Sequence, residues 1–231
     1  MSDIFLELKD VSKLYQEVEA LRDVNLSVGR GAICGLIGPN GSGKTTLMKV
    51  ILGYVQYRGR VMFNGKDTRE GVRLCYIPEV IRFYDYLTGE EAVRLITFLH
   101  GYDAEAMFDK FNVYARKLDY SDSQKLIKEH SKGNLRKLML LQALSVDNDL
   151  MLLDEPFSGL DPMTVEKFID CLLSLRQQRE CTILINTHLF DAAKRLCDRL
   201  FFIDTGKIVA DVPREEYGAI ELTDIFEGKR K

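Results

Sequence analysis

Long apolar runs are missing from this sequence. No stretch of apolar residues approaches the roughly 18 residues that a membrane-spanning helix requires. The first ten residues, MSDIFLELKD, also lack the basic segment followed by an apolar stretch that is typical of a secretory leader. If the protein works at a membrane, we therefore expect another chain to supply the spanning segments.

Paired cysteine motifs are missing as well. The sequence has 5 cysteines, an odd number, and no two of them have the Cys-x-x-Cys spacing. This argues against a disulfide framework or a zinc site and indicates reduced thiols in a cytosolic protein. The five are Cys34, Cys75, Cys171, Cys181 and Cys197.

Neither sign of charge dominates the chain. The 32 basic and 35 acidic residues are mixed and give a formal net charge of -3. This argues against a nucleic-acid-binding stripe, so no nucleic-acid partner is expected, and the basic residues 229–231 are interpreted as a solvated end. The 46% apolar content is ordinary for a globular protein with a substantial core.

Apolar periodicity and turn residues divide the sequence into three parts. The first part is β-rich, with predicted strands near residues 4–11, 21–28, 32–38, 59–65 and 73–77. The second is helical, with predicted helices at 88–99 behind a Thr88–Glu91 capping box and at 104–118, and more helix at 126–145 around a turn at SKGN. The third alternates between strands at 150–154 and 182–186, helices at 163–178 and 190–197, and a hairpin at 199–211. This pattern predicts an α/β core, residues 1–78 and 149–231, with a helical insertion at 79–148.

Residues 38–45, GPNGSGKT, satisfy the phosphate-loop pattern between a strand-like and a helix-like segment. Gly41 and Gly43 allow backbone N–H groups to wrap a phosphate, and the following helix adds its positive end. Lys44 supplies a cation for the β- and γ-phosphates, and the Thr45 hydroxyl can ligate Mg²⁺. We therefore predict a nucleotide site rather than a plain glycine turn, formed by Gly38, Pro39, Asn40, Gly41, Ser42, Gly43, Lys44, Thr45 and Thr46.

The apolar run LMLLD ends in two acidic residues, Asp154 and Glu155. Taken alone, such a pair indicates a helix cap or a surface turn. In a parallel sheet, however, ligands bind at the carboxyl ends of the strands, which places this pair near the phosphate loop. Asp154 is then a Mg²⁺ ligand, because that ion prefers hard oxygen atoms, and Glu155 is a general base for the attacking water.

A second candidate anion site lies at residues 131–134, SKGN. Ser131 offers a hydroxyl, Gly133 lets the backbone approach a ligand, and Asn134 opens a helical pattern. The sequence therefore contains two phosphate-type sites that are far apart in the chain.

Taken in order, five motifs resemble those of the nucleotide-binding subunit of an ATP-binding cassette (ABC) transporter. They are GPNGSGKTT, SKGN, LMLLDEP, SGLD at 158–161 and the turn at 186–188. The resemblance covers essentially the whole chain. It implies an α/β P-loop NTPase with a RecA-like core, an antiparallel β subdomain and an inserted α-helical subdomain. It also implies ATP and Mg²⁺ as cofactors, and ATP hydrolysis coupled to transport.

The same resemblance implies two partners. In that family two cassettes face each other head to tail, and each ATP is held by the phosphate loop of one chain and the signature loop of the other. The segment HSKGN at 130–134 takes the place of the signature, so Ser131 and the Gly133 N–H are expected to contact the γ-phosphate of the partner's ATP. A separate transmembrane permease subunit would hold the ATPase at the cytoplasmic face of the cell membrane. Whether the second cassette is identical stays open.

Three further roles follow from the resemblance, each beside an ordinary structural role. Tyr15 matches the aromatic residue that stacks on adenine, although the sequence alone favours an ordinary tyrosine at a strand edge. Asp161 matches the residue that links the two active sites, and it is also a helix N-cap. His188 matches the switch histidine that reaches the γ-phosphate, whereas a lone histidine after a strand is usually structural.

The sequence departs from the family pattern at two places. Glu79 stands where the family usually has a glutamine that touches Mg²⁺; its carboxylate can still ligate the metal but adds negative charge. His130 and Lys132 replace apolar and small residues of the signature. Both departures are similar to those in bacterial ATPases for drug or antibiotic export, which implies an exporter.

The groove beside Glu79, near Phe83, Tyr84 and Tyr86, is the expected dock for the permease, unless these aromatics belong to the core of the helical insertion. Two other functions stay open. One is an ABC ATPase that acts on ribosomes or DNA, although such proteins usually carry two cassettes or long coiled coils. The other is a regulatory module that binds ATP without turnover. A small-molecule kinase fits poorly, since it would not need these motifs together.

Overall fold

The computed structural model describes residues 3–99, 101, 103–179, 181–219 and 222–227, so the basic residues 229–231 lie outside the described residues. The strands are β1 (Ile4–Tyr15), β2 (Val18–Gly29), β3 (Ile33–Ile37), β4 (Arg58–Phe63), β5 (Leu74–Ile77), β6 (Leu150–Asp154), β7 (Thr182–Asn186), β8 (Arg199–Asp204) and β9 (Lys207–Pro213). The α-helices are α1 (Lys44–Ile51), α2 (Gly89–Leu99), α3 (Ala104–Lys117), α4 (Lys132–Ser145), α5 (Pro162–Arg179), α6 (Phe190–Leu196) and α7 (Leu222–Glu227). Short 3-10 turns occupy Ile127–Glu129 and Arg214–Ala219.

The larger sheet has the strand order β5-β6-β7-β3-β8-β9. Neighbouring strands are parallel except at the edge, where β9 runs antiparallel to β8. Every residue of β3, β6 and β7 is buried, as the continuous apolar runs predict for strands covered on both faces. The carboxyl ends of these strands therefore meet at one edge of the sheet, and the phosphate loop follows β3 there.

The smaller sheet is antiparallel, with the order β2-β1-β4. Leu8 in β1 pairs with Leu26 on one side and Val61 on the other, and all three side chains are buried. This sheet and α1 share an apolar cluster with one face of the larger sheet, to which Leu150 and Leu152 point. The smaller sheet therefore covers the face of the larger sheet next to the phosphate loop.

Helices cover the opposite face of the larger sheet. Met151 and Leu153 point to that side and join a cluster with buried residues of α3 to α6. Alternate residues of one strand thus serve two cores, which is the expected period of a β-strand. The α/β architecture with an antiparallel β subdomain and inserted helices, predicted above, is confirmed.

The helical segment begins at the predicted capping box, but its last helix, α4, begins later than the predicted residue 126. Thr88 Oγ1 accepts from the Glu91 N–H at 3.2 Å, and Glu91 Oε2 accepts from the Thr88 N–H at 2.8 Å, which confirms the capping box. The prediction of α-helix over residues 126–131 is wrong, because Ile127–Glu129 is a 3-10 turn and His130 and Ser131 have extended backbone angles, whereas the prediction that SKGN opens a helix is confirmed, since α4 begins at Lys132. Ser131 causes this start, since its side chain caps the helix by accepting from the Asn134 N–H at 3.1 Å.

In the part of the chain that is described, no helix combines the length and apolarity needed to cross a bilayer.

Candidate active site

The phosphate loop connects β3 to α1, and two of its glycines are required by geometry. Gly43 has a φ of 108°, and a Cβ there would lie 2.6 Å from the Ala20 carbonyl oxygen. A Cβ on Gly38 would lie 2.2 Å from the Ile203 carbonyl oxygen. Because both clashes are with backbone atoms, only glycine fits, and the loop packs closely against β2 and β8.

Lys44 is buried at the first turn of α1 and lies across the phosphate loop. Its Nζ donates to the carbonyl oxygens of Gly38 at 2.7 Å and Pro39 at 2.9 Å. Burial lowers the pKa of the Lys44 ammonium from its ordinary value, and three nearby carboxylates oppose this shift. They belong to Glu155, Asp154 and Glu79. A cation thus lies among the acidic residues that the sequence singles out.

Asp154 is buried at the carboxyl end of β6 and receives several hydrogen bonds. The Thr45 hydroxyl donates to Oδ2 at 3.1 Å, the Asn186 amide donates to Oδ1, and the Tyr76 hydroxyl lies 3.4 Å from Oδ2. Burial and, next, the Asp154 carboxylate raise the pKa of Tyr76, so its hydroxyl stays protonated as a donor. The Thr45–Asp154 pair supplies hard oxygen atoms, which fits Mg²⁺.

Glu155 follows directly and has an unusual backbone, with a φ of 48° for a non-glycine residue. Its N–H donates to the Asn186 carbonyl oxygen at 2.8 Å. Its carboxylate Oε2 lies 2.8 Å from Nδ1 of His188 and 3.4 Å from the His188 N–H. The Glu155 side chain is buried, whereas that of His188 is 64% exposed. Of the three residues predicted to be catalytic, Glu155, His188 and Lys44, the first two are therefore in direct contact.

These residues line one cleft of about 460 Å³. Its volume is in the range of small-molecule sites in proteins. The lining residues are Ala20, Asn40, Gly41, Gly43, Lys44, Thr45, Thr46, Glu79, Glu155, Ser158, Asn186 and His188. Asp154 lies beneath the cleft, bonded to Thr45, while Gly38, Pro39 and Ser42 shape the loop without lining it. The structure thus brings most of the predicted site residues together.

Four predicted residues lie outside this cleft. Tyr15 is at the end of β1, 40% exposed, with Lys13 Nζ 4.5 Å from its ring centroid. Ser131 and Gly133 lie at the start of α4, and Asp161 caps α5 by accepting from the Thr164 N–H at 3.0 Å and the Thr164 hydroxyl at 2.5 Å. These Thr164 hydrogen bonds lower the pKa of the Asp161 carboxyl.

The signature segment and the SGLD loop are neighbours in space. A Cβ on Gly133 would lie 3.3 Å from the Gly159 carbonyl oxygen, two residues before Asp161. Apart from Tyr15, the predicted residues therefore fall into two groups, those at the cleft that contains Lys44 and a second cluster of Ser131, Gly133 and Asp161.

The sequence interpretation assigned no site role to three residues that the structure places here. Asn186 and Tyr76 donate to Asp154, and Arg136 of α4 donates to the backbone of the Glu79 segment. Asn186 could have been found, since it ends β7 at the same sheet edge as Asp154. Tyr76 and Arg136 have no local signal, because their contacts depend on how distant segments pack.

Comparison with known proteins gives consistent results. Residues 21–158 match a family model described as ABC transporter. The chain is 37% identical over 198 residues to an uncharacterized ABC transporter ATP-binding protein of Bacillus subtilis, a match that covers 82% of this chain and 78% of that protein. It is 35% identical over 205 residues to a fluoroquinolones export ATP-binding protein of Mycobacterium tuberculosis, covering 85% of this chain and 66% of that protein. The chain thus spans about two thirds of the length of this second relative.

Solved structures agree with the fold. The structure of an ATP-binding subunit of an ABC transporter superposes with a TM-score of 0.87 at 29% identity, covering 98% of this chain and 100% of that chain. A bacterial ABC transporter cassette described as dimeric has a TM-score of 0.81 at 22% identity, covering 90% and 98%.

Proposed function

Since the chain belongs to the ABC transporter ATP-binding family and is therefore an ATPase, we propose that it is the motor subunit of a transporter. In this proposal two cassettes close around two Mg-ATP and drive a separate transmembrane subunit. The observation that carries it is the meeting of Lys44, Thr45, Glu155 and His188 in one cleft, with Asp154 beneath.

In this proposal several residues in and beneath the cleft have defined tasks in ATP hydrolysis. The backbone N–H groups of residues 40–45 and the Lys44 ammonium would bind the β- and γ-phosphates. Thr45 and Asp154 would hold Mg²⁺, with Glu79 as a further ligand from the edge of the cleft. When bound, Mg²⁺ supplies positive charge against the phosphate oxygens.

Glu155 would take the proton from the attacking water. Both His188 contacts are to Oε2 of Glu155, and we assign Oε1 to the water. We assign to His188 the orientation of this carboxylate through Nδ1 and, through its exposed ring, a contact with the γ-phosphate. The buried position of Glu155 keeps competing solvent away from the base.

The cluster of Ser131, Gly133 and Asp161 supports an ATP site that is built from residues of two chains. Ser131 and Gly133 lie outside the chain's own cleft, at the start of a 14-residue helix, where N–H groups favour an anion. We assign them to the γ-phosphate of a second cassette's ATP, and Asp161 to the contact between the two sites. Tyr15 is assigned to adenine stacking. The cassette described as dimeric, which shares this fold, is consistent with such a pair.

We assign the docking surface for the permease to the part of the helical segment around Phe83, Tyr84 and Tyr86. Phe83 packs against the core, so the core alternative holds for that residue, whereas Tyr84 and Tyr86 are 71% and 82% exposed. A second cavity of about 580 Å³ lies between α2, α4 and β5 and is lined by Tyr54, Ile96, Met139 and Gln142, among others. Tyr54, which lines this cavity, is also exposed, whereas Tyr84 and Tyr86 are not among the lining residues. Exposed aromatic side chains and an apolar groove suit a helix of another protein at the inner face of the cell membrane. An export direction is supported by the relative named for fluoroquinolones export.

We also retain the proposed division of the chain into residues 1–78 with 149–231, and residues 79–148. It is supported by the position of α2, α3 and α4, which all fall within 79–148, and by the sheet strands, which all lie outside it in the described residues.

A phosphate-release assay tests the proposed function. Glu155→Gln keeps the size of the side chain but removes the base, so we expect the rate to fall by at least about 100-fold while ATP binding persists. Glu105→Gln, at an exposed position of α3, is the matched control and should leave the rate unchanged. If Glu155→Gln hydrolyses ATP at the wild-type rate, this site does not perform the reaction and the regulatory alternative is favoured.

A further inference from the structure

A buried arginine joins helix α4 to the segment that carries Glu79. Arg136 is only 4% exposed, five residues after Ser131. Its Nη1 donates to the Pro78 carbonyl oxygen at 3.0 Å, and its Nη2 donates to the Glu79 carbonyl oxygen at 2.5 Å. Its Nε has no hydrogen-bond partner among the described residues. Arginine is seldom buried to this extent unless its charge is paired with another group, so the burial of Arg136 requires an explanation.

The charge of Arg136 faces the acidic side of the active site. Burial lowers the pKa of its guanidinium, and the three carboxylates that oppose this shift are, in order, Glu79, Asp154 and Glu155. The guanidinium remains a cation in proteins. Lys44 lines the cleft and Arg136 does not, so Arg136 acts on these carboxylates from outside the cleft. The site thus holds three acidic groups against two basic ones.

We propose that Arg136 is a positioning residue for ATP hydrolysis, which fixes the backbone of Glu79 to helix α4 and offsets the negative charge of the Glu79 side chain. This inference rests on the proposed role of Glu79 at the metal. The Arg136 guanidinium donates to two consecutive carbonyl oxygens, those of Pro78 and Glu79, and so holds the backbone there. A fixed backbone sets the direction in which the Glu79 side chain leaves it. The same contacts link the start of α4, which carries Ser131, to the chain's own cleft.

A double-mutant cycle tests this inference. The variants are Arg136→Gln, Glu79→Gln and their combination, with Arg116→Gln at an exposed position of α3 as the matched control. We expect Arg136→Gln to lower kcat by about tenfold in the presence of Glu79, with the Kd for ATP changed by less than about threefold, because Arg136 does not touch the cleft. In the Glu79→Gln background Arg136→Gln should lower kcat by a smaller factor, since the Glu79 carboxylate that Arg136 offsets is gone.

A second readout does not depend on turnover. In protein without nucleotide or Mg²⁺, Arg136→Gln should lower the urea midpoint more in the wild-type background than in the Glu79→Gln background, because only Glu79 leaves an additional negative charge uncompensated. If Arg136→Gln does not fold, Arg136→Lys keeps the cation but cannot reach both carbonyls, and we expect an intermediate loss of kcat.

The outcomes separate this inference from the proposed function. Equal losses in the wild-type and Glu79→Gln backgrounds, or an unchanged kcat in folded Arg136→Gln, would overturn the role of Arg136 while leaving the ATPase assignment intact. A wild-type rate in Glu155→Gln would instead reject the proposed function.

Discussion

Glu155 combines catalytic chemistry with an unfavourable backbone. Its φ of 48° lies in the left-handed region, which costs a non-glycine residue on the order of 1–3 kcal/mol. The hydrogen bond from its N–H to the Asn186 carbonyl oxygen holds this conformation at the end of β6. The conformation turns the side chain toward His188, so the strain and the function reside in the same residue.

We therefore expect Glu155→Gly to be more stable than Glu155→Ala by about 1 kcal/mol, because glycine adopts a positive φ without a Cβ clash. Both variants lose the base and should be inactive. Urea denaturation of the pair measures the difference, and the shared loss of the carboxylate is its internal control. Equal midpoints would show that this backbone conformation is not strained.

At the scale of elements, α2 depends on the capping box at its first turn. Thr88→Ala removes the hydroxyl that accepts from the Glu91 N–H, and we expect it to lower the free energy of unfolding by about 1 kcal/mol. Thr88→Ser keeps the hydroxyl and serves as the control, with an expected change of a few tenths of a kcal/mol. Thermal denaturation of the two variants makes the comparison, and an equal loss in both would assign the effect to the methyl group instead.

The junction of β5 and β6 should give stability a pH dependence. The Asp149 carboxylate accepts from the Arg73 N–H at 2.8 Å and from its Nη2 at 2.8 Å, and these bonds lower the pKa of Asp149. A depressed folded-state pKa stabilises the fold above the unfolded pKa of about 4, and this stabilisation is lost as the pH falls through the folded pKa.

Asp149→Asn should therefore reduce the free energy of unfolding by about 1 kcal/mol at pH 7. The difference from wild type should shrink as the pH falls below about 4. Urea titrations at several pH values measure it, and a difference that is constant with pH would contradict the assignment.

Elements with a strong local signal could be predicted from the sequence. The strands β3, β6 and β7 follow from their continuous apolar runs, and α5 follows from its Asp161–Pro162 start. The opening of α4 at SKGN could be predicted as well, whereas the lack of α-helix over residues 126–131 could not, because the apolar pattern extends upstream of the Ser131 cap. In that pattern Arg136 looks like a surface residue, and only packing brings it to carbonyls 57 and 58 residues away.

The residues of the candidate site likewise divide into those that motifs predicted and those that no local pattern indicates. The phosphate loop, Asp154, Glu155 and His188 were predicted from motifs, and the structure places them together. The support beneath them, from Tyr76 and Asn186 to Asp154, depends on the lateral order of the strands. That order is set by long-range pairing, which leaves no mark on neighbouring residues in the sequence.

At the scale of the whole molecule, the separation of the two clusters predicts that one protomer is insufficient. Lys44→Ala disables the phosphate loop and Ser131→Arg blocks the signature, so we expect each purified variant to be inactive. In a mixture, the Ser131→Arg protomer supplies an intact phosphate loop and the Lys44→Ala protomer supplies an intact signature. Phosphate release should therefore exceed the sum of the two separate proteins.

The controls for this experiment use the same substitutions in one chain. A Lys44→Ala/Ser131→Arg double variant mixed with either single variant has no complete site and should stay inactive. No gain in the mixture of single variants, at concentrations where wild type is active, would contradict the exchange of residues between protomers.

The connection between β5 and β6 gives α4 a mechanical property. These strands are parallel neighbours, so the chain must return along the sheet between them, and α4 is the final helix of that return. Its last six residues are buried, whereas Ser131 sits at the opposite, exposed end. About 12 Å of helix lies between this buried part and Ser131, so a tilt of about 10° about the buried part moves Ser131 by about 2 Å. A shift of about 2 Å takes a hydrogen bond out of its range of about 2.7–3.2 Å, so a small rotation suffices to engage or release a phosphate.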